Sequence, residues 1–198
     1  MRKQKFWHPL LIGETDISEN ISPTALIDPS AQLGNNVRVG PYSIIEKNVT
    51  IGKDTWVDAH VHIKPFARIG KECKIFHGAV VGEIPQDLKF SGEKSELFIG
   101  DSTTIREFCT LNRGTKATGF SKIGSNCLLM AYVHVAHDCI IGDHSILANG
   151  VQLGGHVEIG IHVTIGGMTP VHQFCKIGDY SFIGGGYRIV QDVPPYIL

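Results

Sequence analysis

A strict period of six governs this chain. Stepping by six from Ile21 meets Ile27, Leu33, Val39, Ile45, Ile51, Val57, Ile63, Ile69, Ile75 and Val81 without a miss. The series resumes as Ile99, Ile105 and Leu111, and again as Ile123, Leu129, Val135, Ile141, Leu147, Leu153, Ile159, Ile165, Val171, Ile177, Ile183 and Ile189. Four residues beyond nearly every aliphatic position stands a small or β-branched residue, among them Ala31, Ser43, Thr55, Val61, Val151 and Val163. All five cysteines, Cys73, Cys109, Cys127, Cys139 and Cys175, occupy this second slot. Neither a helix, repeating at about 3.6, nor a simple strand, repeating at about 2, produces such a period. A solenoid of hexapeptides does. Each hexapeptide then forms one short flat face, with the aliphatic residue in the core and the small residue inward at the corner. The glycine of the recurrent Ile-Gly pairs is expected to permit the turn conformation. Three faces close a coil of 18 residues, and coils stack about 4.8 Å apart by strand pairing. The expected fold class is all-β.

The gaps in the repeat carry equal information. Residues 83–98, EIPQDLKFSGEKSELF, and 112–122, NRGTKATGFSK, break the period. If both are loops extruded from one edge, Val81, Leu111 and Val135 fall on the same face of successive coils. The two loops then crowd the segment VHVAHDC, residues 133–139. By the step of 18, His137, Gly155 and Gln173 form one column, with His134 beside it and His156 and His172 next to it on the following coils. Loops held on a rigid scaffold commonly carry binding groups.

The bulk numbers bound the function. With 198 residues, one domain is the default, here 21–198 after an N-terminal extension of residues 1–20 to which no role is assigned. A net charge of −1 with 19% charged residues gives no global basic field, so nucleic acid is not an expected partner. The odd number of cysteines, all in packing slots, reads as a reducing compartment rather than a disulfide framework. The opening MRKQKFWHPLLIGETD is basic and then apolar, but its apolar run is short and no small-residue cleavage site follows. No run approaches the roughly 20 apolar residues of a membrane span. The expectation is a cytoplasmic protein without stable membrane insertion. Leu128, Met130, Tyr132, Ile140, Ile146, Met168, Phe174 and Phe182 stand in outward slots, a density that predicts a buried subunit face and an oligomer with its site at a subunit boundary.

Two chemistries remain open for AHDC. His134 and His137, joined by a histidine from another coil or subunit, would supply three imidazoles to zinc with water in the fourth position, as in the γ-class carbonic anhydrases on the same kind of solenoid. The base reading asks less. An imidazole, with an ordinary pKa of about 6.5, takes a proton from an attacking hydroxyl. Asp138 would orient the ring, and the backbone N–H of Gly155 would face a developing oxyanion. Cys139, in a packing slot, is not needed as a nucleophile. For His134, His156 and His172 plain surface polarity at a turn is the competing reading.

The repeat resembles the left-handed parallel β-helix of the hexapeptide acyltransferases, and the hand is taken from that resemblance, since it opposes the usual right-handed crossover. Six segments in order, GEIPQDLKFSGE (82–93), IREF with NRGT (105–115), VHVAHDCIIG (133–142), LGGHVEIG (153–160), GGMTPVHQF (166–174) and QDVPPYI (191–197), are similar to those of the acyl-carrier-protein-dependent UDP-N-acetylglucosamine O-acyltransferases, which perform the first step of lipid A biosynthesis. The resemblance covers about residues 21–198. It implies a homotrimer that transfers a 3-hydroxyacyl chain from the phosphopantetheine arm of acyl carrier protein to the glucosamine 3-hydroxyl, with no other cofactor and no metal. On that pattern His137 is the general base, Asp138 its partner and Gly155 the oxyanion donor. Gln86, Asp87 and Lys89 of the first loop belong to the substrate site, with Asp87 and Lys89 holding sugar hydroxyl and phosphate. His134, His156, His172 and Gln173 match the sugar-nucleotide and acyl-phosphopantetheine cleft, and Gly185 the position that limits acyl length. Lys89, Lys94, Arg106, Arg113 and Lys116 would offer the acidic carrier protein a basic landing area. Asn112 departs from the histidine of some members. The family also continues, past the point where PPYIL ends this sequence, into a helical C-terminal domain that supplies nucleotide contacts. An amine acceptor on a related amino sugar, or a non-catalytic solenoid subunit, are the alternative functions.

Overall fold

A computed structural model describes residues 20–198. The expected extension at 1–20 therefore lies, apart from Asn20, outside the described residues. The described residues fold into 24 short strands in three parallel sheets of eight, and each sheet takes every third strand in sequence. Most strands have two residues, an outward one and then the periodic aliphatic, as in Thr104–Ile105 and Leu128–Leu129. The register repeats faithfully, with Val81 opposite Leu111, Leu111 opposite Val135 and Val135 opposite Leu153. The predicted face is therefore built as expected. The aliphatic column is buried from Val39 through Ile183, and each such side chain contributes about 1.5–3 kcal/mol of burial free energy.

The corners differ from the expectation. The left-handed turn position is held mainly by non-glycine residues three beyond the aliphatic, including Asn36 (φ 59°), Asp54 (59°), His162 (54°) and Tyr180 (57°). This conformation is uncommon for a residue with a Cβ, and here it turns the N–H along the coil axis. His162 thus donates to the Asp143 carbonyl at 2.9 Å and Tyr180 to that of Ile161 at 2.9 Å. The Ile-Gly glycines serve another purpose. A Cβ at Gly52 would stand 2.6 Å from the Gly70 carbonyl carbon, and one at Gly142 would stand 2.5 Å from that of Gly160. Glycine is required there because the next coil passes too close for any side chain.

The five cysteines are free and buried. Burial pushes the Cys109 and Cys139 thiols up to about 12, so neither supplies a thiolate near neutrality.

The two loops are shorter than the broken period implies. The strand Val80–Glu83 extends through Glu83 and the next begins at Glu96, leaving residues 84–95 rather than 83–98. Asn112 closes the strand Thr110–Asn112 and Phe120 opens Phe120–Ile123, leaving 113–119 rather than 112–122. The reason is pairing between the loop flanks, since Glu96, Leu97 and Phe98 lie opposite Phe120, Ser121 and Lys122. Backbone pairing needs no aliphatic period, so it continues where the repeat stops. Among the described residues no helix is long and apolar enough to cross a membrane.

Candidate active site

The site forms at the corner after Val135, where the chain leaves one sheet for the next. His137 Nδ1 lies 2.8 Å from Asp138 Oδ2. Asp138 takes the left-handed turn position (φ 60°), which aspartate tolerates better than most residues, and this conformation lets adjacent side chains face each other. Its carboxylate is buried and receives the second loop. Oδ1 accepts the Thr115 N–H at 3.0 Å and the Thr118 hydroxyl, and Oδ2 accepts the Thr115 hydroxyl at 2.7 Å. Burial alone would raise the Asp138 pKa. The bonds from the Thr118 hydroxyl, the Thr115 N–H, the His137 ring and the Thr115 hydroxyl outweigh it and hold the carboxyl below its ordinary value. Facing an anionic Asp138, Nδ1 is the nitrogen that carries the proton in the neutral tautomer of His137, and in that tautomer the lone pair is on Nε2.

The imidazole lies directly on Gly155. A Cβ there would stand 2.6 Å from His137 Cε1 and 2.7 Å from Nε2. The Gly155 N–H has no acceptor among the described residues, while the neighbouring His156 N–H donates to the His137 carbonyl at 3.0 Å. His156 meets the His137 ring edge-on, with centroids 5.2 Å apart, and stacks on Phe174 at 4.6 Å. Beside it opens a pocket of about 160 Å³ lined by Asp87, Lys89, Phe90, Glu93, Thr115, Lys116 and His156 among others. The first loop thus brings Asp87 and Lys89 to a pocket that His156 and Thr115 also line. Asp87 also shapes its own turn, accepting the Lys89 N–H at 2.9 Å.

The other expected residues lie outside this pocket. Gln86 is exposed and does not line the pocket. His172 and Gln173 are exposed one coil on, with His172 Nδ1 3.1 Å from the Gln173 carbonyl. Gly185 lies at a different corner, after Ile183 of another sheet. Asn112 is buried, and its amide donates to the Ile84 carbonyl at 2.7 Å, anchoring the start of the first loop.

His134 is half-buried with Nδ1 2.7 Å from the Thr110 hydroxyl. Among the described residues the group with metal-ligand spacing is His137, Asp138 and His156, and His134 is not part of it. Burial pushes the His134 pKa below 6.5, against the Thr110 bond and with help from nearby His137. The folded state therefore binds fewer protons than the unfolded one below 6.5, and stability is complete above that value and declines as pH falls toward the folded pKa. Thermal melts should show Tm dropping as pH is lowered below 6.5, with a smaller drop in His134→Gln.

Sequence reading missed Thr115 and Thr118. Both lie in NRGTKAT, but no period reaches into a loop, and their partner is 23 and 20 residues away.

A rigid β-helix with a histidine–aspartate pair at its edge and hexapeptide repeats throughout is a hexapeptide-repeat transferase: the profile described as bacterial transferase hexapeptide (six repeats) matches residues 48–83 and 120–155. The acyl-[acyl-carrier-protein]–UDP-N-acetylglucosamine O-acyltransferase of Aliarcobacter butzleri (strain RM4018) is 54% identical over 180 residues, covering 90% of this chain and 69% of the relative. The solved structure of LpxA from Acinetobacter baumannii superposes with a TM-score of 0.89 at 52% identity, covering 89% of this chain and 69% of that one. UDP-N-acetylglucosamine acyltransferase from Campylobacter jejuni gives 0.85 at 42% identity, with the same coverage. The chain belongs to the acyl-[acyl-carrier-protein]–UDP-N-acetylglucosamine O-acyltransferase family. The solenoid has the left-handed form.

Proposed function

We propose that this chain transfers a 3-hydroxyacyl group from acyl carrier protein to the 3-hydroxyl of UDP-N-acetylglucosamine, the first step of lipid A biosynthesis. The observation that carries this reading is His137, tied to Asp138 at 2.8 Å, with its ring against Gly155 and next to a pocket bearing Asp87 and Lys89. Nε2 takes the proton of the sugar hydroxyl as its oxygen attacks the thioester carbonyl. The Gly155 N–H meets the resulting oxyanion. On collapse the carbon–sulfur bond breaks, and the imidazolium returns its proton to the phosphopantetheine thiolate. Asp138 remains charged throughout and stabilises the imidazolium. Lys89 supplies a cation for a phosphate, and Asp87 an acceptor for a sugar hydroxyl.

The reading includes a cytoplasmic homotrimer. Exposed Tyr132, Ile140, Met168, Phe174 and Phe182 support a covered face in the assembly, and the placement of Gly185 at a different corner from His137 suits an acyl site completed across a subunit boundary.

The test measures transfer from a series of 3-hydroxyacyl carrier proteins to UDP-N-acetylglucosamine and to its 3-amino counterpart. Product acylated at the 3-oxygen is expected. Turnover with the amine alone would replace the acceptor in this reading, and a folded protein inert with both would overturn it.

A further inference from the structure

The second loop has no repeat function, yet it supplies most of the bonds to the buried carboxylate of the dyad. Thr115 donates both its N–H (3.0 Å) and its hydroxyl (2.7 Å), and Thr118 adds a second hydroxyl. With His137 at 2.8 Å, each carboxylate oxygen receives two donors. The Thr118 oxygen also lies 2.7 Å from the Phe120 carbonyl. It has one proton, and the charged carboxylate is the stronger of the two acceptors.

We propose that Thr115 and Thr118 are positioning residues for the catalytic dyad, holding the Asp138 carboxylate so that Oδ2 is locked on His137 Nδ1–H and Nε2 is presented over Gly155. This rests on the reading of His137 as the base. Both hydroxyl oxygens also hold the loop, Thr115 accepting the Ala117 N–H at 3.1 Å and Thr118 the Phe120 N–H at 3.3 Å, which leaves each hydroxyl proton for the carboxylate. Thr115 is 6% exposed and its hydroxyl points at the carboxylate. The loop tip at Thr118 is exposed, so packing does not explain why its hydroxyl turns inward. The remaining group near Oδ2 is His156, whose Nε2 is 3.6 Å away, and beyond it the pocket carries Asp87, Lys89, Glu93 and Lys116. None of these substitutes for the two hydroxyls. Without them the carboxylate rotates about its own side chain, and the imidazole loses its fixed orientation.

The experiment compares Thr118→Val and Thr115→Val with Thr118→Ser and Thr115→Ser. Thr118→Val is nearly isosteric and removes one donor from an exposed position, so the fold should persist, as a thermal melt checks. In the free protein the hydrogen-bonded Nδ1–H proton of His137 is followed by nuclear magnetic resonance. Both valine variants should lose or broaden that resonance and both serine variants should keep it. In the acyl-transfer assay Thr118→Val should lower kcat about tenfold or more, the size of one charge-assisted hydrogen bond, with KM for the sugar nucleotide little changed. An unaltered His137 resonance in a folded Thr118→Val protein overturns the proposal whatever the activity. A resonance lost in the valine variants, with turnover unaffected by changing His137 itself, sustains the positioning and removes the base reading instead.

Discussion

His137→Ala lowers kcat by about 10²- to 10⁴-fold, the range for a lost general base, with little change in Tm. The catalytic loss follows from what surrounds the ring. Asp138 is saturated by the second loop and stays anionic, so it has no proton-accepting role of its own. His156 is the other imidazole at the site, but its ring stacks on Phe174 and its Nε2 points toward Asp138 at 3.6 Å. His134 is tied to Thr110. Neither Asp138 nor the two other imidazoles is therefore placed to take over the proton, and the residual rate reflects chiefly binding and the oxyanion donor. The small stability effect follows from the same map, because the coil-to-coil bond to His156 is made by the His137 backbone, and Asp138, on losing the imidazole, keeps its three donors from the second loop. Single-turnover transfer with saturating acyl carrier protein measures the chemical step free of product release. A variant within threefold of the parent would remove His137 from the mechanism while leaving the family assignment untouched.

The period of six made the core legible because each aliphatic residue reports its own burial, one hexapeptide at a time. The column of His137 and Gly155 was legible for the same reason, since the step of 18 follows from three hexapeptides per coil. What the period does not encode was read incorrectly or not at all. The glycines of Ile-Gly were assigned to the turn, whereas Asn, Asp, His and aromatic residues take the left-handed position and glycine answers to the approach of the next coil. That distinction depends on the distance between coils, which spacing within one strand does not express. The loop limits shifted because strand pairing survives the loss of the aliphatic repeat. Thr115 and Thr118 reach Asp138 by the path of a loop, a contact that no local pattern predicts. Asp87 and Lys89, assigned by the resemblance, lie at the pocket with His156. Gln173 lies one coil beyond Gly155, where the step of 18 puts it, and Gly185, assigned by the resemblance, lies at another corner.

Gly155→Ala tests how closely the base is held. Gly155 does not occupy the left-handed region, so alanine brings no backbone strain, and the change isolates one steric contact. The new methyl would sit 2.6 Å from Cε1 and 2.7 Å from Nε2 of His137, well inside contact distance. Two responses are available. The ring swings away and breaks or bends the 2.8 Å bond to Asp138, or the coils part and strain the His156-to-His137 backbone bond of 3.0 Å and the Phe174-to-Gly155 bond of 3.1 Å. The ring is the softer element, because it moves by side-chain rotation while the backbone bonds belong to a continuous stack. A displacement of about 1 Å costs roughly 10²-fold in rate when a reacting group is positioned by the protein, so kcat should fall by about that factor with only a modest change in Tm. A double-mutant cycle separates this from damage to the oxyanion donor or to the fold. If the alanine methyl acts by moving the imidazole, Gly155→Ala costs little once His137 is already alanine, since there is no ring left to displace. Equal losses in the two backgrounds would mean instead that the methyl disturbs the Gly155 N–H or the thioester site directly, and that the contact between ring and glycine is incidental to the chemistry.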